Sequence, residues 1–86
     1  MEHWERDGES INRTFTFADF PSAIAFIVRI GYAAEAADHH PDILLHRYKR
    51  VTLTYTTHSE KKLTGKDWEG ARAADAIFAA RLEAEG

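Results

Sequence analysis

The sequence predicts an α+β fold, an antiparallel sheet with both helices on one face, from three patterns in the chain. Ile11 to Phe17 alternates, with Ile11, Phe15 and Phe17 on one side and Asn12, Thr14 and Thr16 on the other, the period of a half-buried strand. Arg13 breaks the apolar side. Arg50 to Thr57 alternates again, Val51, Leu53 and Tyr55 against Thr52, Thr54 and Thr56. Between these runs, and after the second, lie helical patterns, and the order strand, helix, strand, strand, helix favours an antiparallel sheet covered on one side.

The first helix is expected over roughly Phe20 to Asp38, about five turns at the mean helical rise. Asp19 offers a cap and Pro21 sits in the first turn. Ile24, Ile27, Val28, Gly31 and Ala34 follow at helical spacing and form the expected apolar stripe. Pro41 disfavours helical geometry at His40, which places the pair His39-His40 where the helix ends. A strand from Ile43 to Tyr48 then forms a hairpin with Arg50 to Thr57. After a polar loop from His58 to Leu63, Thr64 and Asp67 have the form of a capping box, and Trp68, Ala71, Phe78 and Leu82 carry a stripe to about Glu83. A short strand around Trp4 completes the order on slighter grounds.

At 86 residues the chain is expected to be one domain, 1–86, since too little remains for a second core. Apolar residues make up 44% and charged residues 29%, the balance of a globular protein. The stretch Phe20 to Ala37, interrupted by Arg29, Gly31 and Glu35, is expected not to span a bilayer. No signal peptide is legible in Met1 to Asp7, so a cytoplasmic location is expected. A formal net charge of −3 argues against nucleic acid as a partner. Without cysteine there are no disulfides, and so small a domain is expected to associate with copies of itself.

His39, His40 and His58 fall at element ends, where binding groups concentrate. Histidine exchanges protons near neutrality, so two or three in one cleft could serve as acid and base. The competing reading is that they are solvated surface groups. A metal reading of Asp38-His39-His40-Pro41-Asp42 is disfavoured because adjacent imidazoles diverge, whereas zinc ligands converge from a turn or helix face. No cysteine and no serine of the G-x-S-x-G type suggests a nucleophile.

At these residues the sequence resembles a known family. Glu35-Ala36-Ala37-Asp38-His39-His40-Pro41, then Tyr48, Thr57-His58, Leu63-Thr64 and Asp67 are similar in order and spacing to the signature of pterin-4a-carbinolamine dehydratases. Arg13-Thr14-Phe15-Thr16-Phe17-Ala18-Asp19-Phe20 resembles the family's aromatic strand leading into its long helix, and Trp4 falls near its tryptophan; the likeness covers about Trp4 to Leu82. The resemblance implies a four-stranded antiparallel sheet with helices on one face, homodimers or homotetramers, and no cofactor. It implies dehydration of a 4a-hydroxytetrahydropterin to the quinonoid dihydropterin, as in tetrahydropterin recycling. Carried over by position, His39, His40, His58 and Asp67 would be catalytic, and Glu35, Trp4, Pro41 and Thr57 would bind substrate. Some animal relatives also bind a homeodomain transcription factor as a dimerisation cofactor. The chain departs from the family pattern in beginning almost at Trp4, where relatives usually carry a further helical segment. Lys62 stands where relatives commonly have glycine, which predicts strain there if that position needs a positive φ.

The chemistry suits these residue types. Expelling hydroxide from carbon 4a needs a proton on the leaving oxygen while a ring nitrogen gives up its own, so an acid and a base suffice, each worth on the order of a hundred- to ten-thousandfold. A non-catalytic binding or assembly module on the same scaffold is the alternative. Asp67 carries two readings, a helix cap and a carboxylate that orients one imidazole.

Overall fold

A computed structural model describes residues 2–85, with side chains through residue 81. The chain runs β1 (Glu5–Asp7), β2 (Ser10–Thr16), α1 (Phe20–Ala37), β3 (Asp42–His46), β4 (Arg50–Tyr55) and α2 (Gly65–Glu85). The four strands form an antiparallel sheet in the order β1-β2-β4-β3. Register pairs inward residues with inward residues, Ile11 with Tyr55, Arg13 with Leu53 and Phe15 with Val51. Ile11, Phe15, Val51 and Leu53 are fully or almost fully buried, and Ala23, Phe26 and Ile30 of α1 with Ala71 and Ala74 of α2 join them in one core. The other face is polar, and Thr14 and Thr52 meet there hydroxyl to hydroxyl at 2.7 Å.

Arg13, the break in the apolar alternation of β2, is accommodated on that core face. Its guanidinium donates to Asp75 of α2 at 2.6 Å and lies over the ring of Phe15, 4.3 Å from the centroid. The same carboxylate accepts from the Trp4 indole N–H at 2.9 Å. Two donors thus share one half-buried acid, which removes the cost of an unpaired buried charge.

Asp19 caps α1, accepting at 2.9 Å from the Ser22 N–H, and its hydrogen bonds to Ser22 hold its carboxyl below the ordinary value. The buried face of α1 is Ala23, Phe26, Ile30 and Ala34, one step round from the expected stripe; Ile24 and Val28 are exposed. This helix is apolar on nearly every side, so periodicity alone does not select a face. Selection comes from the aromatic cluster, in which Phe26 lies 4.8 Å from Phe15 and 5.0 Å from Phe17 between ring centroids. The mean hydropathy of α1 is 1.2 over 18 residues, so length and composition alone would allow a membrane crossing. A helix packed into a core meets the same measure, and Ala23, Phe26, Ile30 and Ala34 of α1 are buried in the core here.

The second expected strand stops at His46 instead of Tyr48. Arg47 and Tyr48 take φ of 49° and 51°, the sign demanded at the centre of primed hairpin turns. The following strand ends at Tyr55 instead of Thr57. Thr57 instead forms an isolated bridge with Lys62 across the loop, and the positive φ of that loop, 55°, falls on Lys61 rather than Lys62. In α2, Ala71 and Ala74 are buried and Trp68 and Phe78 are half-buried, as the expected stripe requires; Leu82 lies outside the described side chains.

Candidate active site

α1 ends in a motif that aims the chain. Asp38 adopts the left-handed conformation at φ 52°, its N–H donates to the Glu35 carbonyl, and the His39 N–H donates to the Ala34 carbonyl at 3.1 Å. That pair of bonds is a Schellman closure, and aspartate tolerates the left-handed position better than most residues. It turns His39 out of the helix axis and toward the start of α2.

The start of α2 supplies the partner. Thr64 caps the helix, its hydroxyl accepting from the Lys66 N–H at 3.3 Å, while the Asp67 carboxylate reaches back to the Thr64 N–H at 3.0 Å. Asp67 is fully buried. One oxygen accepts from Thr64 N–H and from the Thr57 hydroxyl at 2.9 Å. The other lies 2.6 Å from His39 Nε2.

Proton directions follow from this geometry. The Thr57 hydrogen goes to Asp67, so in the 2.7 Å contact between the Thr57 and Thr64 hydroxyls the hydrogen belongs to Thr64. A carboxylate only accepts, so Nε2 of His39 carries the hydrogen toward Asp67 and Nδ1 is left to take or give a proton. This is the base-and-orienter arrangement that acid–base sites use.

His40 turns the other way, its Nε2 lying 2.8 Å from the Glu35 carboxylate, with both side chains exposed. The structure therefore gathers His39, Asp67 and Thr57 into one buried network and His40 with Glu35 into a second, solvated pair. Pro41 is half-buried beside them. His58 directly follows Thr57 and is exposed at the start of the loop turn. Trp4 is in the core, 7% exposed, its ring 5.9 Å from that of Tyr55.

Beside His39 a cavity of about 240 Å³ opens between the C-terminal end of α1 and the first turns of α2. Alanines line it from both helices, His39 and Tyr55 contribute flat rings, and the exposed Lys66 and Glu69 stand at its edge. The His39 and Tyr55 rings are 6.1 Å apart and within 17° of parallel. Burial, and then the negative charge of Asp67, push the Tyr55 hydroxyl up to about 12. Sequence reasoning missed Tyr55 because it continues the alternation of Val51 and Leu53; the signal was a hydroxyl on a core position. Another cavity, about 280 Å³, lies between Phe17, Phe26, Arg29, Ile77 and Arg81 and contains none of the expected site residues.

The profile of the family described as Pterin 4 alpha carbinolamine dehydratase matches residues 1–77. The chain belongs to this family. A relative from Roseiflexus castenholzii, provisionally named a pterin-4-alpha-carbinolamine dehydratase, is 50% identical over 75 residues, 87% of this chain and 80% of the relative. One from Nocardia farcinica, named in the same way, is 47% identical over 77 residues, 90% of this chain and 80% of its own. The solved structure of a transcriptional coactivator/pterin dehydratase from Brucella melitensis is similar with a TM-score of 0.83 and 38% identity, covering 88% of this chain and 82% of that one. A pterin dehydratase-like protein identified as a RuBisCO assembly factor in the alpha-carboxysome shares the fold, with a TM-score of 0.71 and 17% identity over 87% of this chain and 86% of that one. Family membership covers the stretch that contains His39, His40, His58 and Asp67.

Proposed function

We propose that this chain is a hydro-lyase that dehydrates a 4a-hydroxytetrahydropterin to the quinonoid dihydropterin by histidine acid–base catalysis, as a step in tetrahydropterin recycling. The observation that carries the reading is the His39–Asp67 pair at 2.6 Å, which fixes one tautomer of an imidazole at the edge of a cleft. In this reading His39 takes a proton from the substrate's ring nitrogen at Nδ1, and the electrons of that N–H bond form the new C=N bond at carbon 4a. The hydroxyl leaves as water after receiving a proton, the role that the family resemblance offers to His40 and His58, which are solvent-exposed and stand outside the lining of the cavity beside His39. Proton count balances, and no oxidant, metal or cofactor enters. The assembly-module reading has less support, because a binding surface does not need a buried carboxylate held by three donors around one imidazole.

The expected partner is the pterin alone, without nucleic acid or membrane, and the expected place is the cytoplasm. We also propose a homo-oligomer. Phe20, Ile24, Val28 and Tyr32 recur every four residues on α1 and are 38% to 77% exposed, a continuous apolar stripe of the kind that marks association sites. Separately, edge strand β3 exposes Ile43 and Leu44, which point to opposite faces of the sheet.

The test is a dehydration assay on histidine variants. His39→Ala, His40→Ala and His58→Ala should each lower activity, and His3→Ala and His46→Ala should not. Equal activity in all five would overturn the histidine mechanism.

A further inference from the structure

Tyr55 occupies the last inward position of β4, after Val51 and Leu53. An aliphatic side chain would satisfy that position. A phenol brings a hydroxyl that must be solvated or paired, and among the described residues no protein group hydrogen-bonds it. No buried side-chain oxygen among those residues lacks a partner, so this hydroxyl reaches open space. Tyr55 is only 4% exposed, and the space it lines is the cavity beside His39. Cζ, which carries the hydroxyl, lies against Gly70, itself in the wall of that cavity, so the cleft is the open space beside the phenol.

The opposite wall is shaped to the ring. Gly70 lies in α2, where glycine is less favourable than alanine. A Cβ there would meet the Tyr55 ring at 2.5 Å from Cε1 and 2.9 Å from Cδ1 and Cζ. Glycine admits the aromatic ring at a cost to the helix, and the ring in turn lies nearly parallel to His39. Aliphatic residues at both positions could fill the same space, so the tyrosine and glycine together are a device whose return is the phenol in the cleft.

We propose that Tyr55 is a substrate-binding residue of this cleft: its hydroxyl donates a hydrogen bond to a polar edge atom of a flat heterocycle held between the alanines of α1 and α2, and Gly70 is the residue that lets it do so. The inference rests on the dehydratase reading and deepens it. A polar donor beside a stacked, methyl-lined slot suits a planar ring system with acceptors on its rim. The high affinity of this hydroxyl for its proton keeps it a donor across the working pH range.

The experiment measures binding of biopterin, a pterin that cannot be dehydrated, by calorimetry, alongside KM and kcat for the carbinolamine. Tyr55→Phe keeps the ring, its packing and the stack on His39. It should raise the biopterin Kd and the KM by about two- to tenfold, the net worth of one neutral hydrogen bond, while kcat changes less than the KM does, as loss of uniform binding predicts. Gly70→Ala should raise both in the same direction by displacing the ring. Unchanged Kd and KM in a Tyr55→Phe protein whose parent binds and turns over would overturn the inference and leave the dehydratase reading standing. A fall in kcat with KM unchanged would also overturn it. If the parent protein neither binds biopterin nor speeds dehydration, the dehydratase reading falls and this inference with it.

Discussion

The Asp67 carboxylate faces His39 Nε2 at 2.6 Å without any solvent exposure of its own. It is at once the capping acid of α2 and the group that fixes the imidazole, so the two roles must be separated by substitution.

Asp67→Asn keeps the size of the side chain. If its oxygen faces Thr57 and Thr64, its NH2 faces His39 and forces the opposite tautomer, with the hydrogen on Nδ1 and no base in the cleft. Turnover should drop at least about tenfold, on the order of one lost general base. Thr64→Ala removes the cap hydroxyl and should cost about 1 kcal/mol, or roughly 4–8 °C in Tm for a domain of this size, with turnover nearly intact below the melting range. Paired melting curves and assays check both. An Asp67→Asn protein that loses stability and keeps full activity would reduce Asp67 to a cap.

Gly70→Ala should lower stability although alanine is the better helix former. The propensity gain is about 1 kcal/mol, whereas overpacking a buried ring costs typically 1–3 kcal/mol. Adding Tyr55→Leu removes the obstacle, so the double variant should melt above Gly70→Ala alone. A double-mutant cycle with no coupling between the two positions would contradict the contact.

Alkaline titration isolates Tyr55. Its proton is held to about 12 against an ordinary 10.0. Below 10 the folded and unfolded chains both keep that proton, and it has no effect on stability. From 10 to about 12 the unfolded chain ionises first, so stability falls as pH rises through this window and levels off above it. Phenolate absorbance should therefore show a late component that Tyr55→Phe abolishes. A late component that survives the substitution would assign the shift to another residue.

Much of this architecture was legible in the sequence because it rests on local rules. The alternations of β2 and β4, the Asp19 cap and the Thr64–Asp67 box each depend on residues within a few positions. What was not legible depends on distant partners or on unusual backbone. Arg13 reads as an error in an apolar strand until Asp75 comes to meet it from 62 positions away. Arg47 and Tyr48 give no turn signal, since neither is the glycine or asparagine that favours positive φ. The face of α1 was one step off because Ile24 and Val28 are as apolar as Phe26 and Ile30. Within the site, residue type singled out His39, His40 and His58 alike and the family resemblance added Asp67, but that His39 alone of the three meets Asp67 depends on the Schellman turn, and Tyr55 was indistinguishable from a core residue.

The central claim is tested most directly by stopped-flow measurement of a 4a-hydroxytetrahydropterin, following loss of its absorbance with and without chelator-treated protein. Decay should accelerate in proportion to enzyme concentration, and His39→Ala should return it toward the unaided rate. Decay at the unaided rate with the parent protein at high concentration would contradict the account.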